Sequence, residues 1–361
     1  MTRMNRVSRG SLSRFYSTPR NARFPGEDLE KTSYSMDQIT PLHDTSHNVA
    51  LAYSQSGQDY SAYADGGSDD LFAFTGIHAY ADRIVWARLE AMLQDLREVG
   101  TETVRILDAG CGPGIWLRRL VLRAHELGFT MIDARGFDIA REQVRLARYM
   151  SRDLLRLPGV KLRFDTADLN LPFPEADGSI DITLCLYSVF SHLPVKQMES
   201  IAAEIARVTS GSFITTVRPT GSLPTAFVDS IDKAHWFQHD ENEDRFEITL
   251  DDGRHLSLSV HLFSEAELEG LFSPHFAIRE ISGLDLFHSR FAPDRRWTPA
   301  SFRMQDCVLE HLERLEEIFT NDPAFLNHAT HLLLVGTKRS NSRLQSLNNE
   351  RDKCSEHGRS C

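Results

Sequence analysis

Cysteine is sparse and unpatterned. Cys111, Cys185, Cys307, Cys354 and Cys361 are five in 361 residues, with no C-x-x-C pair among them. An odd, scattered set of this kind excludes a disulfide framework and a zinc cluster and fits a reducing compartment. Long apolar runs are also missing. No stretch approaches the roughly eighteen uninterrupted apolar residues of a membrane-spanning helix, so no membrane partner is expected. Basic charge is in deficit, 40 Lys and Arg against 51 Asp and Glu, for a net charge of −11. Such a chain repels phosphate backbones, and no nucleic-acid partner is expected. No internal repeat at solenoid or propeller period is present.

What is there is ordinary for a globular chain: 41% hydrophobic and 25% charged residues with 14 prolines, enough for one elaborated domain or two. The ends differ from the middle. Arg3, Arg6, Arg9, Arg14, Arg20 and Arg23 precede the first acid, Glu27. That start reads as a disordered basic segment over residues 1–48. A second reading is a mitochondrial matrix presequence cut near Arg14-Phe15-Tyr16-Ser17, against a cytoplasmic location otherwise. Residues 340–361, nearly free of apolar side chains, read as a disordered tail.

Between the ends, strand and helix patterns alternate. Val85, Leu89, Met92, Leu93 and Leu96 make one apolar face of a helix over Ala81–Glu98, stopped by Gly100. A strand at Val104–Leu107, a glycine cluster and a helix ending at Gly128 follow. Strands near Ile132–Phe137, Val160–Phe164, Ile180–Leu186 and Ser212–Val217 then alternate with helices Ala140–Leu154 and Val195–Val208, the order of a parallel sheet covered on both faces. Past Pro219 the pattern breaks into an acid-rich insertion, 220–262, with a possible hairpin from Phe246–Leu250 to His255–Val260. Helix Ser264–Phe272, strand His275–Ile281, helix Phe302–Phe319 with Met304, Val308, Leu312, Leu315 and Phe319 inward, and strand Thr330–Thr337 complete the chain.

The chemistry is concentrated at Asp108-Ala-Gly110-Cys-Gly112-Pro-Gly114-Ile115. Glycines there permit a sharp strand-to-helix reversal and let a ligand lie against bare backbone. A dinucleotide turn would want glycine at 115, where Ile115 stands, and no Lys-Ser or Lys-Thr follows to make a phosphate loop. An acid two residues before the first glycine suits a ligand carrying an amine better than a pyrophosphate, which it would repel.

This D-x-G-x-G-x-G turn resembles the first motif of the class I S-adenosylmethionine-dependent methyltransferases, in particular their small-molecule branch, and the resemblance spans roughly residues 101 to 220. It implies a Rossmann-like, doubly wound α/β sheet of seven strands in the order 3-2-1-4-5-7-6, the last antiparallel, with an N-terminal helical lid over residues 49–100 and an inserted cap in a domain of residues 101–339. It implies S-adenosyl-L-methionine as cofactor. Later stretches follow in order: Gly136-Phe137-Asp138-Ile139, whose carboxylate would accept from both ribose hydroxyls; Ala167-Asp168-Leu169, whose acid would accept from the adenine amino group; and Ile180 through Leu186, Tyr187 and His192, walling the methionine end. The implied cofactor residues are thus Asp108, Gly110, Gly112, Gly114, Asp138, Ile139, Asp168, Leu169 and Leu186, with Tyr63 from the N-terminal segment closing over them.

Each residue has a plainer role open to it: Asp138 a helix cap, Asp168 a turn acid, His192 a cap or core histidine, Tyr63 aromatic packing. Trp116 is expected to pack helix on sheet, and Asp181 to be structural. Tyr187, Ser188, His192 and Arg218, at the ends of the fourth and fifth strands, are the candidates to face a substrate. The acceptor, a small molecule, is not named by the sequence, nor is a catalytic base, nor the oligomeric state. His235 and His239 could bind metal only if helical, and no metal is expected. Two other activities stay open, a cofactor-binding regulator without turnover and an aminopropyl-transferase-like relative.

Overall fold

The computed structural model describes residues 46–54, 70–74, 78–222, 234–250, 253, 255–288 and 306–339. Helix α1 covers residues 46–54 and α2 covers Ala79–Glu98. Then β1 (Thr103–Ala109), α3 (Ile115–Glu126), β2 (Met131–Asp138), α4 (Arg141–Met150), β3 (Val160–Thr166), β4 (Ile180–Cys185), α5 (Val195–Val208) and β5 (Thr209–Val217) alternate strictly. Next come β6 (Ala234–Asp240), β7 (Arg245–Leu250) and β8 (His255–Ser259), followed by α6 (Glu265–Phe272), β9 (Phe276–Leu284), α7 (Asp306–Phe319), the single turn α8 (Pro323–Leu326) and β10 (His331–Lys338).

Seven strands form one sheet in the order β3-β2-β1-β4-β5-β10-β9. The first five neighbours are parallel, and β10 runs antiparallel to both β5 and β9. With β9 and β10 as sixth and seventh strands, this is the order 3-2-1-4-5-7-6. Alternation explains why such apolar strands stay put. In β1, Val104 and Ile106 enter the cluster under α2 and α3, while Leu107 and Ala109 enter the opposite one under α5 and α6. Strand β10 divides likewise, Leu333 and Val335 to one face, Leu332 and Leu334 to the other. Buried on both faces, it has the near-continuous apolar run of a central strand.

Several boundaries differ from the sequence reading. The helix expected to run to Leu154 ends at Met150 and gives way to a 3-10 turn at Leu154–Arg156. Residues 46–48 are already helical within the segment read as disordered, and in the same helix Val49 and Ala52 bury against β7 and β8. The insertion folds as a three-stranded antiparallel sheet, β6-β7-β8, one strand more than the hairpin. On α7, Leu312 is buried but Val308 and Leu315 are exposed; the inward position one turn past Leu312 is Glu316, fully buried. Its carboxylate accepts from the backbone amides of Leu286, Phe287 and His288, so a charge-assisted contact with a loop replaces the apolar stripe. Phe302 and Met304, Tyr63, the tips at 251–252 and both termini lie outside the described residues.

Candidate cofactor and acceptor site

The glycine turn sits where β1 passes into α3, at the carboxyl edge of the sheet. Gly110, Gly112 and Gly114 have φ of 84°, 50° and 77°, left-handed values that glycine adopts without a Cβ penalty. The amides of Gly110 and Cys111 both donate to the Phe137 carbonyl, 2.8 and 2.9 Å away, which ties the turn to the end of β2. At Gly110 a Cβ would lie 2.5 Å from Val189 Cγ2, and at Gly114 one would lie 2.8 Å from Phe164. Gly114 is therefore required by the packing of α3 on the sheet.

Asp138, ending β2, accepts from the amide of Gly112 on Oδ2 and of Ala140 on Oδ1, both at 2.8 Å. Two backbone donors fix the carboxylate while leaving lone pairs for a ligand, since an ionised carboxylate has about four acceptor positions. Asp168 is similarly braced, its Oδ1 accepting from the amide and side-chain nitrogen of Asn170 at 3.0 and 2.8 Å. Asp108 lies behind the turn, 2% exposed, with Oδ2 unpartnered. Burial, then the charge of Asp138, pushes its carboxyl up to about 8; burial likewise raises Asp138 against its two backbone bonds.

These elements wall a cleft with an empty volume of about 680 Å³, mouth included, the size of a small-molecule site. Its floor is Gly110, Gly112, Asp138, Ile139, Asp168 and Leu169; Leu186, Tyr187 and His192 form the far wall, and Val49 and Tyr53 of α1 the roof. Of the residues singled out from sequence, Asp108, Gly114, Ser188 and Arg218 are not among its lining. Ser188 and Arg218 are buried; the amide of Arg218 donates to Ser191 Oγ at 3.1 Å and its guanidinium to Ser222 Oγ at 3.5 Å. Asp181 accepts from the Arg105 amide at 2.8 Å, a structural contact.

His192 is fixed at both nitrogens. Nδ1 donates to the Ser259 carbonyl at 2.8 Å, which leaves Nε2 to accept from the Tyr53 hydroxyl at 2.8 Å. Burial lowers it to about 4, with Arg218 adding to the effect, so it is neutral at pH 7. Ser46 and Tyr53 of α1 and Gln143 of α4 also line the cleft and went unread in the sequence because neither helix carries a motif.

The end of β4 departs from regular geometry. Tyr187 and Ser188 have φ of 54° and 67°, two successive left-handed residues that are not glycine, at roughly 1–3 kcal/mol each. Thr216 holds them, its hydroxyl accepting from the Tyr187 amide at 2.6 Å and its carbonyl from that of Ser188 at 3.0 Å. The turn carries the Tyr187 ring between the cleft and a buried polar cluster. Its hydroxyl donates to Asp82 Oδ1 of α2, and the ring stacks on Trp116 at 6.0 Å and meets His331 edge-on at 5.4 Å. His331 in turn meets His78 at 5.3 Å, and His78 Nδ1 lies 3.2 Å from Asp285 Oδ2. Asp82, Asp285 and His331 are 2%, 0% and 3% exposed. Burial raises Asp82 to about 6 against the Tyr187 bond and Arg119, raises the Tyr187 phenol and lowers His331.

On β6 the backbone is extended, so His235 and His239 are not on one helix face. Among the described residues no group of three or more His, Cys, Asp or Glu is placed to hold a metal ion, and no helix is long and apolar enough to cross a membrane.

Residues 106–211 match the family model of a methyltransferase domain. Solved structures that align with the chain include magnesium protoporphyrin IX methyltransferase of Synechocystis with bound SAM, at 15% identity over 83% of this chain and 99% of that one, TM-score 0.47. Geranyl diphosphate C-methyltransferase of Streptomyces coelicolor, in complex with magnesium, geranyl diphosphate and S-adenosyl-L-homocysteine, aligns at 13% identity over 83% and 100%, TM-score 0.45. An S-adenosylmethionine-dependent methyltransferase of Mesorhizobium loti aligns at 17% identity over 70% and 97%, TM-score 0.39. No curated protein matches the chain significantly.

Proposed function

We propose that this chain, which carries a methyltransferase domain at residues 106–211, is an S-adenosylmethionine-dependent methyltransferase acting on a small molecule, with its cofactor seated in the cleft above the glycine turn. The observation that carries the reading is the carboxylate of Asp138, aimed from a strand end and braced by the amides of Gly112 and Ala140. The residues present fit the cofactor. Gly110 and Gly112 leave bare backbone, Asp138 retains lone pairs for a diol, Asp168 supplies a buried acceptor, and Ile139, Leu169 and Leu186 give apolar walls for a purine. Asp108, with an unpartnered buried oxygen, places an acceptor beneath the end where an amine would lie, and an ammonium bound there would draw its raised carboxyl back towards the ionised form.

Bound there, S-adenosylmethionine supplies a methyl group on a sulfonium, a leaving group good enough that most of the acceleration can come from alignment. The chain's task is to exclude water and hold a nucleophile in line. Tyr53 closes the roof, its hydroxyl bonded to His192 of the far wall, and Tyr187 stands at that wall where an acceptor would approach. The described cysteines, Cys111, Cys185 and Cys307, are free, which agrees with a cytoplasmic location.

Calorimetry with S-adenosylmethionine and its demethylated product should each show one site, and no heat from either would sink the reading. Asp138→Ala should weaken binding by about 1.5–3 kcal/mol, the worth of hydrogen bonds to a charged group; a smaller loss would leave Asp138 as a turn residue only. Transfer of label to any acceptor separates an enzyme from a regulator that only binds.

A further inference from the structure

The buried cluster beyond Tyr187 lies outside the lining of the cleft, and it gathers four ionisable side chains around that ring from three places. His78 and Asp82 come from the start of α2, Asp285 from the end of β9 and His331 from the start of β10. The last two are brought to the same edge by register, His331 pairing with Leu284 and Leu332 with Val217. Asp285 is itself left-handed, with φ of 53°. Two buried polar atoms here have no partner, Asp285 Oδ1 and His331 Nδ1, where such atoms ordinarily find one. The strained Tyr187 lines the cleft and reaches this cluster through its hydroxyl.

Resting on the methyltransferase reading above, we propose that the acceptor carries an ionisable O–H or N–H, and that Tyr187 and Asp82 form the relay that takes its proton. As the acceptor's lone pair forms the new bond to carbon and the carbon–sulfur electron pair returns to sulfur, the acceptor's proton passes to the Tyr187 oxygen. The Tyr187 proton passes along its existing hydrogen bond to Asp82 Oδ1. The phenol is regenerated, Asp82 ends as a carboxylic acid, and one proton leaves to solvent afterwards. Asp82 acts through Tyr187 and is a positioning and proton-holding residue. The groups facing Asp82 are Tyr187 from β4, Arg119 from α3, Asp285 from β9 and His78 on its own helix. His192, its Nε2 already accepting from Tyr53, is the weaker candidate for this task.

The test uses the full chain, methyl-labelled cofactor and the small-molecule fraction of a cell extract as acceptor source. Asp82→Asn, which keeps a hydrogen-bond acceptor for Tyr187 but takes no proton, should reduce label transfer about a hundredfold or more, the usual worth of acid–base assistance. Cofactor affinity should hold, the thermal midpoint should not fall, since a buried charge is removed, and Asp82→Glu should restore part of the transfer. Wild-type transfer should rise with pH through about 6, a limb that Asp82→Asn abolishes. Unchanged transfer and pH profile in Asp82→Asn overturn the relay. A second arm needs no acceptor: infrared difference spectra between pH 5 and 8 should show a protonated-carboxyl band that is lost in Asp82→Asn and shifted in Tyr187→Phe. No such band overturns the relay on its own. A wild-type protein that binds cofactor and transfers no label defeats the parent reading instead, and the infrared arm still decides whether Asp82 holds a proton.

Discussion

At the carboxyl ends of β1 and β2 the polar groups are held by backbone: Asp138 by the amides of Gly112 and Ala140, 26 and 2 residues away, and the turn amides by the Phe137 carbonyl. At the ends of β4, β9 and β10 they are held by one another's side chains, Tyr187 by Asp82 across 105 residues and His78 by Asp285 across 207. A site made of backbone cannot be altered by exchanging side chains at its donors, so it suits a ligand that never changes. One made of side chains drawn from distant segments is retuned by single substitutions, which suits an acceptor that must be chosen. The cost is paid in different forms: left-handed glycines on the first side, left-handed Tyr187, Ser188 and Asp285 on the second.

The sharpest way to break this contrast is through the backbone of the first side. Gly110→Ala puts a Cβ on a left-handed residue, about 1–2 kcal/mol, and drives it to 2.5 Å from Val189, an overpacking of about 1–3 kcal/mol. A stability loss of about 2–5 kcal/mol in urea unfolding is expected, together with loss of cofactor heat. A loss under about 1 kcal/mol would mean that the turn is not the rigid element described.

Acid tests the bond between wall and roof next. His192 is lowered to about 4 in the folded chain from an unfolded value near 6.5. Its neutral form is thus favoured by folding, and the stability it contributes is complete above pH 6.5 and lost as pH falls towards 4, on the order of 3 kcal/mol in all. Asp82, raised to about 6, works in the opposite sense, its burial penalty being relieved as pH falls through 6. His192→Gln should therefore flatten the decline in unfolding free energy between pH 6.5 and 4; an unchanged curve would place the titration elsewhere. The smallest effect expected is that of Tyr53→Phe, which removes one neutral hydrogen bond worth about 0.5–1.5 kcal/mol while leaving the ring. It should loosen α1, read as faster amide exchange at residues 46–54, with little change in the global midpoint.

How much of each side could be read beforehand follows from the same contrast. Asp108, the glycines, Asp138 and Asp168 are legible because each sits at a strand end in a short local pattern, and strand ends are where an open α/β sheet presents its ligands. Tyr187 and His192 are legible only as positions after a strand. Nothing in Ala79–Glu98 marks Asp82: it reads as a first-turn acid on a helix, and only packing buries it. Asp285 and His331 are invisible for a stronger reason, since their meeting depends on β10 returning between β5 and β9. The outward turn of Val308 and Leu315 has the same origin, because periodicity marks a stripe on α7 but the loop at Leu286–His288, needing an acceptor for three amides, selects the face that bears Glu316.

The small third core has a consequence for how such a chain can change over generations. Val49 and Ala52 of α1 share it with Phe246, Ile248, Leu256, Leu258 and Val260 of the inserted sheet. A gene that acquired the insertion alone would display those five side chains to water, and one that kept only the leading helix would display its apolar face. The two segments, nearly 200 residues apart, thus depend on one another: a recombination that trims the front of the reading frame past residue 54 removes the counterpart of an insert it never touches.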